Sequence, residues 1–476
     1  MEHVVGRHPR RPWFDKGLGL GAGALLVALA SAYLAYHYMI DLDVYRKGAW
    51  ALLHGRDPYG SHLPGPNLEY TYTPFSTLVF VPLDFLPHRV AQGVDAAVSM
   101  LALWFVVHQV VRRLLPSDRA RLVWWGAVAV TTVACWSEPV RKTLMYGQVN
   151  IVLMLLIVVD LLLLQKTRLA GVLIGIAAGI KLTPVVYIAY LFFTGRRRAA
   201  GQAAAAAVGT VVVGWVLLPH PTKEYFTRYM FDTTRIGNLS YAANQSLNGF
   251  VARLFHSNTL GHPVWLLVAG ATAVIGLWAA VRTRELMGEL AGLAVCAVTG
   301  LLVSPISWNH HWVWWVLPAL ILAREAWTRR SAALTAAAVA WTSMFYLAPF
   351  WMIPSHLGRE LHQHGIQLIL GSAYVVAAMV GLAVVVGLIL TSSSRSSHVA
   401  APTSGHELDP TDVPGLAVGN AGGRSVQSLS VKVAVNTAPP SGSFDATTRP
   451  WWRRAMSSTI DSPSPDPGAE RASVDR

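Results

Sequence analysis

Apolar residues fall in long blocks along this chain, and polar residues gather where the blocks end. The first block, Gly17 to Ile40, contains no Asp, Glu, Lys or Arg. A helix of that length crosses the hydrocarbon core of a bilayer, which takes roughly 20 residues. Similar or shorter blocks occupy 90–111, 122–136, 148–165, 169–180, 184–194, 201–219, 262–281, 286–303, 311–323, 331–349 and 366–391. None shows strand-like alternation, so helices rather than a barrel must satisfy the backbone in lipid. The pattern predicts an all-α polytopic membrane protein of about 12 passes, half-helices counted separately. The run from Pro74 to Pro87 reads as a shallow helix in the outer leaflet.

Basic residues orient the bundle. They cluster at Arg7, Arg10, Arg11 and Lys16; at Arg112, Arg113, Arg119 and Arg121; at Lys166 and Arg168; at Arg196 to Arg198; at Arg282 and Arg284; and at Arg324, Arg329 and Arg330. The positive-inside rule places all of these in the cytoplasm, with both termini, and the Asp41 to Pro74 loop outside. One stretch upsets the parity, because Lys166/Arg168 and Arg196 to Arg198 should share a side while about one span separates them. Gly179-Ile180-Lys181-Leu182-Thr183-Pro184 splits that span, since Pro184 removes a donor and disfavours helix at Thr183. Two half-helices returning to the cytoplasm restore the count.

Composition agrees with the pattern. With 53% hydrophobic and 13% charged residues and a mean hydropathy of +0.41, the chain is too apolar for a soluble protein of this length. The net charge of +13 lies in short clusters between blocks, so it reads as topology on membrane lipids and not as a nucleic-acid partner. Cys135 and Cys296 sit in separate apolar blocks without metal-ligand or disulfide spacing. Ala30-Ser31-Ala32 imitates a signal-peptidase site, but the block continues to Ile40 and further blocks follow, which is the mark of a signal anchor. After Leu390 the chain turns to Ser, Pro, Gly, Thr and Ala, too polar to fold. The expected division is a cytoplasmic N-terminus over 1–16, a transmembrane domain over 17–391 and a disordered cytoplasmic tail over 392–476.

Sorted by side, the unusual polar residues gather outside. They are Asp41, Asp43, Tyr45, Arg46 and Lys47, then Glu138, Arg141 and Lys142, Gln148 and Asn150, Lys181, Asn244 and Gln245, and His310 and His311. Each has a plain reading: Asp41 as a helix cap, Lys181 as a snorkelling cation, the amides as caps or interhelical bonds, the histidines as part of an interfacial belt. Adjacent histidines lack the i, i+4 spacing that sets two metal ligands on one helix face, so no metal is expected. Together, carboxylates, a cation at a helix break, amides and aromatics on one face suit a site for an anionic lipid phosphate and a sugar.

Seven blocks carry a resemblance. Asp41-Leu42-Asp43-Val44-Tyr45, Leu53-His54-Gly55-Arg56-Asp57-Pro58-Tyr59, Tyr70-Thr71-Tyr72-Thr73-Pro74-Phe75, Tyr146-Gly147-Gln148-Val149-Asn150, Ile180-Lys181-Leu182-Thr183-Pro184, Asn244-Gln245-Ser246-Leu247 and Trp308-Asn309-His310-His311-Trp312 occur in order over about residues 37 to 315. As a set they resemble glycosyltransferase family 87, actinobacterial GT-C enzymes that use polyprenyl-phosphate-mannose. Its members include the α-(1→2)-mannosyltransferases of phosphatidylinositol mannoside and lipoarabinomannan assembly.

The resemblance implies a GT-C-like bundle facing the periplasm and an inverting, metal-independent transfer without a cofactor. The donor would be polyprenyl-phosphate-mannose and the acceptor a lipid-linked glycan. Asp41 matches the family's first-loop aspartate, the proposed base; Asp43 is a departure and leaves the base open between the two. Lys181 and His310, with Arg141, are the expected donor-phosphate groups, and Tyr45, Gln148, Asn150, Asn244, Gln245 and His311 the expected binding or positioning groups. A rival class is a lipid-linked-sugar flippase or transporter, which should carry ionisable groups along a path through the bilayer. The spans read as nearly charge-free, with Asp160 near an inner end. An arabinofuranosyltransferase on the same fold is the second enzyme reading.

Overall fold

The computed structural model describes residues 39–60, 68–116, 119–232, 235–355 and 358–399, with side chains through Thr391. The N-terminal segment, nearly all of the first expected pass, and 400–476 lie outside the described residues. Within them every regular element is helical, and the only β pairing is an isolated bridge between Asn244 and Trp308.

In chain order the α-helices are α1 (Ile40–Leu53), α2 (Pro74–Asp84), α3 (His88–Leu114), α4 (Ala120–Ala134), α5 (Glu138–Tyr146), α6 (Asn150–Val159), α7 (Val172–Ile180), α8 (Val185–Phe193), α9 (Arg197–Leu217), α10 (Pro219–Thr227), α11 (Leu247–Leu254), α12 (His262–Met287), α13 (Glu289–Val303), α14 (Val316–Arg329), α15 (Ala332–Leu347), α16 (Ile366–Gly371) and α17 (Ala373–Val399). Among the described residues five helical segments are long and apolar enough to cross a membrane: α3, α9, α12, α15 with its extension to Trp351, and α17 through Thr391. A sixth arises if α5 and the 150–164 helix, bent by 112°, count as one broken span. The expected twelve passes also included helices as short as α7 and α8, of 9 residues each. α17 continues to Val399, so the tail boundary expected at residue 392 falls inside a helix. By contacts, residues to Val386 form one compact unit; the described part of the second, from Gly387, is the end of α17.

The predicted helix break is present: α7 stops at Ile180, Lys181 is extended (φ −145°, ψ 134°), and Pro184 precedes α8. Small residues let α7 and α9 approach. Gly171, Gly175 and Gly179 recur every fourth position and face Ala199, Ala203 and Thr210 of α9. A Cβ on Gly175 would come within 2.6 Å of the Ala206 Cβ. Asp160, flagged as a span charge, accepts hydrogen bonds from the backbone N–H groups of Gly171 (2.6 Å) and Ile174 (3.1 Å). It is therefore a cap for α7, stabilised by the helix dipole, and no part of a transport path.

Among the described residues, basic clusters distant in sequence come together in two sets. Arg113 Nη2 donates to the Leu162 carbonyl (2.7 Å), Arg324 Nε to the Leu114 carbonyl (2.6 Å), and Arg196 and Arg284 both pair with Glu289 (3.0 and 2.7 Å). α3 thus runs from the Asp41 neighbourhood at its N-terminus to a basic end.

Candidate active site

α1 opens with two aspartates whose side chains diverge, because two residues rotate a helix by about 200°. Asp43 leaves toward the rim, where its Oδ1 lies 2.8 Å from His88 Nε2. Asp41 turns inward and is hydrogen-bonded by Gln148. Two tyrosines fix that amide: Tyr45 Oη and Tyr72 Oη both donate to Gln148 Oε1 (2.9 and 3.1 Å), which leaves Nε2 for Asp41. Tyr45 is itself stacked on Phe80, with centroids 4.1 Å apart, and its hydroxyl accepts from the Val149 N–H (3.2 Å). Burial pushes the Asp41 carboxyl up to about 6, against the opposing pull of the Gln148 hydrogen bond and the Lys181 charge. The residue nevertheless remains partly accessible.

The turn that carries Gln148 needs a glycine. Gly147 ends α5 in the left-handed region (φ 68°), and a Cβ there would sit 2.8 Å from the Leu42 Cβ of α1. That close approach is what brings Asp41 to Gln148.

Lys181, at the break between α7 and α8, supplies the cation. Its Nζ donates to Asn150 Oδ1 (3.2 Å), contacts His311 Nε2 (3.0 Å) and lies 5.5 Å from the centre of the Tyr72 ring. The Lys181 donor assigns the His311 proton to Nδ1. Asn150 is oriented in turn by its Nδ2, which donates to the His310 carbonyl (3.1 Å), an acceptor shared with Thr143 Oγ1 (2.8 Å). Burial pulls the Lys181 amine down to about 8, with the Asp41 charge opposing. Lys181, Asn150 and His311 form the polar end of a narrow cleft whose walls include Leu153, Ile157, Val186 and Leu301. A cation at the head of an apolar slot matches a phosphate on a hydrocarbon chain.

The other expected site residues fall in different places. His310 is buried edge-on to Tyr146 (5.4 Å), and neither ring nitrogen has a hydrogen-bond partner among the described residues. Burial and the Lys181 and Lys142 charges hold its imidazole well below the usual range, so it is neutral. It can hydrogen-bond to a ligand but brings no positive charge to a phosphate, and His311 is the histidine that touches Lys181. Arg141 is paired with Glu138, a buried carboxylate that also accepts from Asn309 Nδ2 (2.9 Å) and Trp351 Nε1 (2.8 Å). Asn244 and Gln245 bind the fold together. Asn244 Oδ1 accepts from the Ser307 N–H (3.1 Å), and Gln245 Nε2 donates to the Ala242 and Gly371 carbonyls (2.8 Å each). Both are completely buried. The Asn244 amide holds the 240–245 loop against the 304–309 turn, the Gln245 amide ties it to Gly371 and Tyr374, and a buried Arg253 donates to the carbonyls of Ser240, Tyr241 and Asn244.

Two further residues join the site that the sequence pattern does not single out. Tyr72 stands between two threonines just before the helix-starting Pro74. Asp95 lies inside a span that reads as nearly charge-free, where an aspartate is itself a signal. It lies on α3, close enough to Asp41 for the two charges to interact. Among the described residues no group of three or more His, Cys, Asp or Glu side chains is assembled as a metal site.

Comparison with known proteins gives a consistent picture. A model of glycosyltransferase family 87 matches residues 70–305. A polyprenol-phosphate-mannose-dependent α-(1-2)-phosphatidylinositol mannoside mannosyltransferase of Mycobacterium tuberculosis is 32% identical over 413 residues, covering 81% of this chain and 94% of the relative. A polyprenol-phosphate-mannose-dependent α-(1-2)-phosphatidylinositol pentamannoside mannosyltransferase of Mycolicibacterium smegmatis is 39% identical over 311 residues, covering 62% and 73%. An α-(1->3)-arabinofuranosyltransferase of Corynebacterium glutamicum is 28% identical over 289 residues, covering 55% and 66%. No solved structure matches the chain.

Proposed function

The chain belongs to glycosyltransferase family 87, and from that premise we propose that it moves mannose from polyprenyl-phosphate-mannose to a lipid-linked glycan of the phosphatidylinositol mannoside or lipoarabinomannan type. The transfer forms an α-(1→2) linkage on the outer face of the plasma membrane. The observation that carries this reading is a partly accessible carboxylate, Asp41, beside a cation that Asn150 and His311 hold at the head of an apolar cleft. The basic clusters favour a cytoplasmic side opposite that site, with both termini on it.

The reaction is a single displacement. The acceptor hydroxyl oxygen attacks the anomeric carbon from the face opposite the phosphate; the new C–O bond forms as the bond to the phosphate oxygen breaks, and that electron pair leaves on the phosphate. Asp41 takes the hydroxyl proton. Inversion turns a β-linked lipid sugar into an α-mannoside. Lys181 neutralises the charge arriving on the phosphate, while His310, neutral and with free ring nitrogens, donates or accepts a hydrogen bond to the sugar or phosphate. Asp43, engaged by His88, is left out of the chemistry.

Labelled transfer from polyprenyl-phosphate-mannose and, in parallel, polyprenyl-phosphate-arabinose to phosphatidylinositol mannosides tests this with wild-type, Asp41→Asn and Asp43→Asn protein at matched expression and with a chelator present. Mannose transfer that survives the chelator, disappears in Asp41→Asn and stays within about tenfold in Asp43→Asn is the expected result. Loss only in Asp43→Asn moves the base by two residues, to the other face of α1. Transfer only of arabinose, favoured by the similarity to the arabinofuranosyltransferase, changes the donor but keeps the site. No transfer of either sugar, with donor instead crossing between leaflets, overturns the enzyme reading in favour of a flippase.

A further inference from the structure

Asp95 is the one acidic residue of α3. Its Oδ2 is buried without a hydrogen-bond partner, the only carboxylate oxygen so placed among the described residues. Other carboxylates out of solvent are compensated, among them Glu138 by Asn309, Trp351 and Arg141, Asp160 by two backbone N–H groups, and the half-buried Glu289 by Arg196 and Arg284. An uncompensated buried carboxylate is costly, so its retention needs a physical reason.

The location supplies one. Asp95 Oδ2 lies against the backbone of Gly147, 3.4 Å from where a Cβ would stand, and the next residue is the Gln148 that hydrogen-bonds Asp41. Two carboxylates thus flank one turn. Asp41 has an amide donor and a cation nearby; Asp95 has neither, and the charge it feels is that of Asp41 itself. Tyr45, Tyr72 and Tyr146 also face Asp41 and are affected by its charge. Of the two carboxylates, Asp95 is the one whose buried oxygen has no partner to hold it.

Building on Asp41 as the base, we propose that Asp95 is the proton store of this site, a residue that acts through Asp41 rather than on the substrate. Asp41 removes the proton from the acceptor hydroxyl and passes it to the Asp95 carboxylate. Asp41 is thereby an anion again when the products leave. Asp95, which is only partly buried as a residue, then releases the proton to water. One proton moves in three steps and no electrons change hands.

The test compares single-turnover with steady-state kinetics of mannose transfer from polyprenyl-phosphate-mannose to phosphatidylinositol mannosides, using full-length wild-type, Asp95→Asn, Asp95→Glu and Asp41→Asn protein. Asp95→Asn is expected to complete its first turnover near the wild-type rate, keep both KM values, and lose roughly tenfold or more in steady-state kcat. Asp95→Glu restores turnover. Wild-type steady-state rates in Asp95→Asn, an equal loss of first and later turnovers, or failure of both Asp95 variants to accumulate as folded protein each overturn the proposal. Absence of wild-type transfer, or full activity in Asp41→Asn, overturns instead the functional reading beneath it.

Discussion

Asp41 and Lys181 are opposite charges held at unusual proton affinities, and their titrations should bracket activity. A base works only when deprotonated, so kcat/KM is expected to fall as pH drops through about 6, where Asp41 takes up a proton. The cation works only when protonated, so activity should also fall as pH rises through about 8, where Lys181 loses its charge. Lys181→Arg should remove the alkaline limb, because a guanidinium stays charged, and leave the acid limb in place; a pH profile of kcat/KM for both proteins checks this. The two aspartates and two histidines show where reading single residues stops. Asp41 and Asp43 look equivalent in a string of letters, and only the helix phase against Gln148 and His88 separates them. Likewise His310 and His311 are neighbours in sequence, yet only the second touches Lys181.

Among the elements, the α7–α9 contact and the α5–α6 turn hold the two halves of the site. Gly175→Leu would drive a side chain into the Ala203–Ala207 stretch of α9 and is expected to destabilise the bundle by about 1–3 kcal/mol. Gly270→Leu on α12 meets nothing within 4 Å and should be neutral. A thermal melt of each purified variant in detergent distinguishes them, and equal Tm values would remove the close-packing argument. The break at Pro184 was legible, since proline acts on its own backbone and the residue before it. The 112° bend between α5 and the 150–164 helix was not, because the contact that excludes a Cβ at Gly147 comes from Leu42 on α1, far away in sequence.

For the whole molecule, the separation of the Asp41–Lys181 cluster from the basic ends predicts sidedness. Cysteine introduced as Arg56→Cys in the first loop should react with a membrane-impermeant thiol reagent in intact cells, and Arg330→Cys only after permeabilisation, in a background lacking Cys135 and Cys296. The opposite pattern would invert the face of the site. The chain by itself determined the helical class, the membrane setting, the break at Lys181 and the set of blocks that point to the family, because hydropathy, proline and local charge act over a few residues. Tertiary structure alone decided which polar groups gather around Asp41 and Lys181 and which are bound into the scaffold. Asn244, Gln245 and Arg141 are bound into the fold, Asp160 caps a helix, and Tyr72 and Asp95 join Asp41 from segments far away in sequence. Hydrogen-bond partners and burial are properties of distant contacts, and no local pattern of residues encodes them.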